Sequence, residues 1–238
     1  MERIDKIISE QTYYTRREIK KLISQGTIYV NGEQVKKPEN KYDETKITIK
    51  INGEEIEIKK HIYLLLNKPK GYVSATEKER QKTGLDLVPE KYKYRDLFPA
   101  GRLDKDTTGL MLITDDGEFA HNILSPRKHV KKEYEVTLDI PVTETMVNGF
   151  KKGINLSDGE CKSADLEITG EYTANVVITE GRYHQIKRMF GCYGAKVIEL
   201  NRIRMGNLYL PKDLKFGEVK EATQAELEKI QERCVENK

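Results

Sequence analysis

Strand-length apolar runs outnumber helical stretches along this chain, and most are not separated by segments long enough for a helix. That order argues against alternating β and α units around a parallel sheet. Ile62-Tyr63-Leu64-Leu65-Leu66-Asn67-Lys68-Pro69 reads as a buried strand halted by proline, which lacks the N–H a ladder needs. Residues 110–114, 132–138, 175–180 and 196–200 read as four more strands. A short helix fits 118–124, ended by Ser125-Pro126, with Asp116 placed to cap it. The pattern predicts an α+β fold with a largely antiparallel mixed sheet.

The first sixty residues have a different rhythm. Ile4, Ile7 and Ile8 mark one apolar helical face, and Thr15 can cap a second helix over 16–24 whose Ile19, Leu22 and Ile23 point inward. Its other face carries Arg16, Arg17, Lys20 and Lys21. Ile28-Tyr29-Val30, the turn Asn31-Gly32 and Val35 then read as a short hairpin, and residues 46–60 as two strands around Asn52-Gly53. The boundaries expected are a small domain over 1–60 and a larger one over 61–238.

With 238 residues, 34% of them charged, the chain can hold a packed core in two such parts. No apolar stretch approaches the roughly 20 residues of a membrane helix, and Met1-Glu2-Arg3-Ile4-Asp5 lacks the apolar core of a secretory signal. A cytoplasmic monomer with no membrane partner is expected. Cys161, Cys192 and Cys234 are an odd number without paired spacing, and His61, His121, His129 and His184 are far apart, so neither a disulfide framework nor a metal site is indicated. Net charge is only +3, but it is unevenly placed. Arg127, Lys128, Lys131 and Lys132 stand together without an acid. Arg182, Lys187, Arg188, Lys196, Arg202 and Arg204 face Glu199 alone over 181–204. Each cluster is either a solvated face or part of a basic surface for nucleic acid.

Chemistry concentrates in Gly101-Arg102-Leu103-Asp104-Lys105-Asp106-Thr107-Thr108-Gly109-Leu110. The string puts carboxylates, an arginine and two hydroxyls on a glycine-bounded loop feeding a buried strand. Read from the residues alone it is a capped polar loop, a reactive group on a rigid scaffold, or a two-carboxylate hydrolytic site using Asp104 and Asp106. Alternation over Lys132–Leu138 puts Tyr134 on the inward side with Val136 and Leu138, where it is a core tyrosine or a plate for an unstacked base. Residues 181–190 enter a helix, with Ile186, Met189, Phe190 and Tyr193 on one face and His184, Lys187 and Arg188 on another.

These strings together resemble the pseudouridine synthases, in the branch that modifies small-subunit ribosomal RNA. The resemblance takes in Leu66-Asn67-Lys68-Pro69, the Asp104 string, Ser125-Pro126-Arg127, Lys132-Glu133-Tyr134, residues 181–190 and Glu199-Leu200-Asn201-Arg202. Residues 3–44, with Thr15-Arg16-Arg17-Glu18 and Val30-Asn31-Gly32, resemble an S4 RNA-binding domain. Gly-Arg-Tyr-His-Gln-Ile-Lys-Arg-Met-Phe is similar to the small-subunit (16S) members, which act on uridine 516, more than to their large-subunit relatives.

The resemblance implies that Asp104 is catalytic, that Tyr134 supports the swung-out base, and that Arg102 and Thr107 shape the loop or contact RNA. It implies a basic partner for Asp104 at Lys187, where many relatives have arginine, with Arg188 the substitute. Ribosomal RNA is then the partner, held by Arg16, Arg17, Lys20, Lys21, Arg127, Lys128 and Arg188, and neither metal nor cofactor is called for. Attack at C1′, glycal formation and addition at C6 are all open to the aspartate. A large-subunit target, a non-catalytic ribosome-assembly factor and an N-glycosidase-like hydrolase are the competing expectations.

Overall fold

The computed structural model describes residues 1–76, 81–125, 128 and 130–232. Contacts divide the chain into two units, one of residues 1–62 with 88–97, the other of 63–87 with 98–238. No helix among the described residues is long and apolar enough to cross a membrane.

The first unit opens with α1 (Ile4–Gln11) and α2 (Arg16–Ser24). The Thr15 hydroxyl accepts the Glu18 N–H while the Glu18 carboxylate accepts the Thr15 N–H, so two donors of the first turn are satisfied locally. Ile19 and Ile23 of α2 turn inward, while Arg16, Arg17, Lys20 and Lys21 stay exposed. Strands β1 (Ile28–Val30) and β2 (Glu33–Gln34) close over Asn31 and Gly32, both at positive φ, the geometry of a two-residue hairpin turn. A second hairpin, β3 (Ile49–Ile51) and β4 (Glu54–Ile56), turns on Asn52 and Gly53 in the same way and completes a four-stranded sheet in the order β2-β1-β3-β4. Ten buried side chains, among them Ile4, Ile8, Ile19, Ile28 and Ile49, form its core. The segment 88–97 is tied in by Arg95, whose Nη2 donates to Gln11 Oε1 at 2.8 Å and to the Lys59 carbonyl at 2.6 Å.

The second unit is built on one sheet. Along the chain its main elements are β5 (Tyr63–Lys68), β6 (Thr108–Thr114), α3 (Gly117–Leu124), β7 (Lys132–Leu138), α4 (Glu144–Lys152), β8 (Asp165–Gly170), β9 (Thr173–Ile178), α5 (Gln185–Gly191), β10 (Val197–Met205), β11 (Val219–Glu221) and α6 (Gln224–Gln231). The strands lie in the order β8-β9-β7-β10-β6-β5-β11. Neighbours run antiparallel except β10 and β6, which run parallel with Asn201 opposite Thr108 and Arg202 opposite Gly109. The fold is α+β with a largely antiparallel mixed sheet.

Both β5 and β6 are buried on both faces, which is why they read as unbroken apolar runs. Helices α3 and α6 cover one face, where Phe119, Ala120, Ile123, Leu227 and Ile230 pack with Leu65, Leu110 and Leu112. Asp116 caps α3, its Oδ1 accepting the Phe119 N–H at 2.9 Å. Helix α5 buries Ile186, Met189 and Phe190, and Phe190 meets Phe150 of α4 at a ring separation of 4.7 Å.

Candidate active site

The parallel junction of β6 and β10 fixes the loop 101–107. Gly109 sits at φ +102°, and a Cβ there would run into the carbonyl oxygen and nitrogen of Arg202. Only glycine lets the two backbones approach so closely. Beneath the loop, the fully buried Lys68 donates its Nζ to the carbonyls of Tyr72 (2.7 Å), Pro69 (3.1 Å) and Lys105 (3.4 Å). Burial pushes the Lys68 ammonium down to about 8, against the opposing pull of the Asp106 and Asp104 carboxylates. Ser74 bonds the Leu103 N–H and carbonyl, both at 2.8 Å, and the Gly71 N–H donates to the Lys105 carbonyl at 2.8 Å. The backbone on either side of Asp104 is therefore pinned from below.

Asp104 emerges from this loop half-buried and meets a lysine and a histidine of the segment after β9. Lys187 Nζ lies 3.5 Å from its Oδ2, and His184 Nε2 lies 3.4 Å from its Oδ1. Lys187 also donates to Asp106 Oδ1 at 2.6 Å. Burial pushes the Asp106 carboxyl up, but the Lys187 ammonium outweighs it and holds the group below the usual carboxylate range. Asp104, Arg102, Thr107, Tyr134 and Lys187 all line one cavity of about 160 Å³, with Leu103, Ile178 and Leu200 as apolar walls. Tyr134 does point inward as the alternation predicts: it is buried together with Val136 and Leu138, while Glu133 and Glu135 turn to the other side.

His184 is the site residue that helical periodicity misplaces. Helix α5 begins at Gln185, so His184 precedes it as N-cap and does not share a helical face with Lys187 and Arg188. Its backbone sits at φ +47°, a left-handed conformation that costs a histidine on the order of 1 kcal/mol and clusters at functional positions. The turn brings its ring flat against Tyr183, centroids 3.8 Å apart and planes at 18°.

The basic residues of 181–204 are divided rather than pooled. Arg188 forks onto both carboxylate oxygens of Asp158 and reaches the Ser157 hydroxyl at 3.3 Å, away from Asp104. Arg182 folds onto the backbone of the 158–160 turn, donating to the Gly159 and Glu160 carbonyls at 2.9 and 3.0 Å. Arg202 is 1% exposed and donates its Nε to the Leu110 carbonyl at 2.7 Å. Arg204 pairs with Glu133 at 2.5 Å. In the other cluster Lys132 is buried and donates to the Val130 carbonyl at 3.1 Å, so it belongs to the core and not to a basic surface. Lys128 is exposed, and Arg127 lies outside the described residues.

A carboxylate beside a lysine and an aromatic wall thus share one small cavity, the donor set of a site for nucleophilic or electrostatic chemistry on a planar ring. Residues 62–191 match the family model for RNA pseudouridylate synthase, and residues 2–45 match the S4 domain. An uncharacterized RNA pseudouridine synthase of Bacillus subtilis is 39% identical over 236 residues, spanning 97% of this chain and 98% of its own. Ribosomal small subunit pseudouridine synthase A of Haemophilus influenzae is 39% identical over 96% of this chain and 99% of its own, and that of Escherichia coli is 44% identical over 71% and 73%. A crystal structure of a pseudouridylate synthase, 39% identical, superposes with a TM-score of 0.69 over 97% of this chain and 100% of that one.

Proposed function

The chain belongs to the RNA pseudouridylate synthase family and carries an S4 domain, and from that premise we propose that it converts one uridine of small-subunit ribosomal RNA, uridine 516, with Asp104 as the essential carboxylate. The reaction breaks the bond from ribose C1′ to N1 and makes one from C1′ to C5; N1 gains a proton and C5 gives up its hydrogen. The observation that carries the reading is the convergence of Asp104, Tyr134 and Lys187 on one small cavity. At about 160 Å³ it falls below the roughly 300–1,000 Å³ of pockets that enclose a drug-sized ligand, and suits a single flipped ring.

Each member has a role that its setting supports. Asp104 must be ionised, whether it attacks C1′, assists departure of the base or adds at C6, and the Lys187 ammonium lies 3.5 Å from its carboxylate. Tyr134, on the inward side of β7, supports the base swung out of its stack. Arg102 is exposed at the mouth, where it meets the RNA backbone. Asp106 is exposed and held by Lys187, so it keeps the lysine in place and is not a second catalytic acid. Arg16, Arg17, Lys20 and Lys21 on the outer face of α2 give the residues 1–60 a phosphate-gripping surface, which holds RNA by shape and leaves chemistry to 61–238. The small-subunit target rests on relatives 37–44% identical that are named for it.

Carbodiimide mapping of pseudouridine in ribosomal RNA from cells lacking this protein tests the reading. One small-subunit site should vanish, return with the parent or with Asp106→Asn, and stay absent with Asp104→Asn. Restoration by Asp104→Asn overturns the catalytic assignment, and loss of a large-subunit site overturns the target.

A further inference from the structure

A second cavity adjoins the first. It measures about 800 Å³, and Arg102, Leu103, Asp104, Tyr183 and His184 line both. The wall between the two spaces is thus the Asp104 loop on one side and the Tyr183-His184 stack on the other. The larger space continues over residues 73–76, Phe98 and Pro99, a mixed apolar and hydroxyl floor, with Lys105 and Asp106 at the loop end.

From this arrangement we propose that the second cavity seats the nucleotide that flanks the target uridine in the RNA strand, with the Tyr183 ring as its stacking plate. The proposal rests on the reading of the first cavity as the uridine seat. Two seats sharing a wall suit consecutive residues of one strand, because a target can be swung inward only if its neighbour is held where the strand departs.

The chemistry of the walls fits a nucleotide. Tyr183 is 69% exposed although its ring is covered on one side by His184 at 3.8 Å, so the opposite face is open. An aromatic plate braced from behind by a second ring accepts any base by its π-face. Lys105 and Arg102 are exposed in the same lining and supply the positive charge that a phosphate needs, set against the Asp106 carboxylate that Lys187 holds. The left-handed backbone of His184 gives the brace a purpose: it turns the imidazole so that one edge reaches Asp104 while a face supports Tyr183. The plate and the catalytic carboxylate are coupled through one residue.

Binding of a short oligouridylate carrying one internal 2-aminopurine, titrated with full-length protein, reads the stack directly. The parent and Tyr183→Phe should quench the fluorophore and bind alike. Tyr183→Ala should lose the quenching and bind about 10-fold more weakly, the scale of one lost base–aromatic stack. On a ribosomal RNA transcript the same variant should raise KM by a similar factor, while Tyr183→Phe keeps the parent's KM. Absence of quenching by the parent, or quenching that survives Tyr183→Ala, overturns the proposal. Neither result bears on the uridine seat, whose failure shows separately as no pseudouridine formed by the parent in any ribosomal RNA.

Discussion

Arg188 forks onto Asp158, and this pairing leaves its neighbour Lys187 as the cation facing Asp104. The two residues are adjacent and both positively charged, yet successive positions on a helix point about 100° apart. Substitution should separate them. Lys187→Met removes a fixed charge from the site and should lower kcat by about 10²-fold, the usual scale for one preorganised electrostatic partner, with Lys187→Arg retaining much more. Arg188→Met should leave kcat within a few fold. Single-turnover pseudouridine formation on a small-subunit transcript measures both, and equal losses from the two variants contradict the assignment of Lys187.

The approach of Gly109 to Arg202 makes a prediction about stability. Alanine at 109 would need φ +102° and would press its Cβ against the backbone of β10 at the one parallel pairing of the sheet. Relief requires moving the buried strand β6 or the stretch of β10 held by the buried Leu200 and Arg202. Gly109→Ala should destabilise the fold by about 3 kcal/mol, lowering Tm by roughly 6–12 °C for a chain of this size. Calorimetry checks it. A Tm equal to the parent's would show that the junction can part without penalty.

Helix α2, the hairpin at Asn31-Gly32 and the inward face of Tyr134 were legible because each is written in neighbouring residues: a capping box, a two-residue turn and a strict alternation. Strand β10 was not legible beyond Leu200. It runs on to Met205 through Arg202, which a sequence pattern treats as a solvent-facing end. Arg202 is buried against the Leu110 carbonyl of a distant strand, while Lys68 and Lys132 are buried against the nearby carbonyls of Tyr72 and Val130, and no apolar periodicity announces the burial of a charged side chain. Helix α4 was not read although its Thr143 cap and the one-turn spacing of Met146 and Phe150 are local signals, whereas the segment 88–97 is tied in only by long-range bonds from Arg95 to Gln11 and Lys59. The stack of His184 on Tyr183 depends on one left-handed residue at a helix entry, a conformation that a helical wheel assigns to the helix itself.

Buried Lys132 ties stability to alkaline pH. Burial, reinforced by the positive charge of Arg202, pushes its ammonium down to about 8. An unfolded lysine keeps its proton until about 10.4. Below pH 8 both states are protonated and the cost of burying the charge is constant. Between pH 8 and 10 the folded state releases the proton while the unfolded state holds it, so rising pH favours the fold. The parent should therefore gain about 2 kcal/mol relative to Lys132→Met between pH 7.5 and 10, read from urea denaturation at both values. A pH-independent difference between the two proteins would mean that Lys132 titrates normally.

The exposed face of α2 makes a prediction about salt. Arg16 and Lys20 stand one turn apart on a helix whose other side is sealed by Ile19 and Ile23, so reversing their charge leaves the core of that unit untouched. If both contact phosphates, each contact releases counterions on binding, and the logarithm of affinity falls with the logarithm of salt by about 0.7–0.9 per contact. Arg16→Glu with Lys20→Glu should weaken binding to ribosomal RNA and flatten the slope by about 1.5. Filter binding across a salt series gives both quantities. A weaker affinity with the parent's slope would assign the loss to something other than phosphate contact, and would move the RNA path off α2.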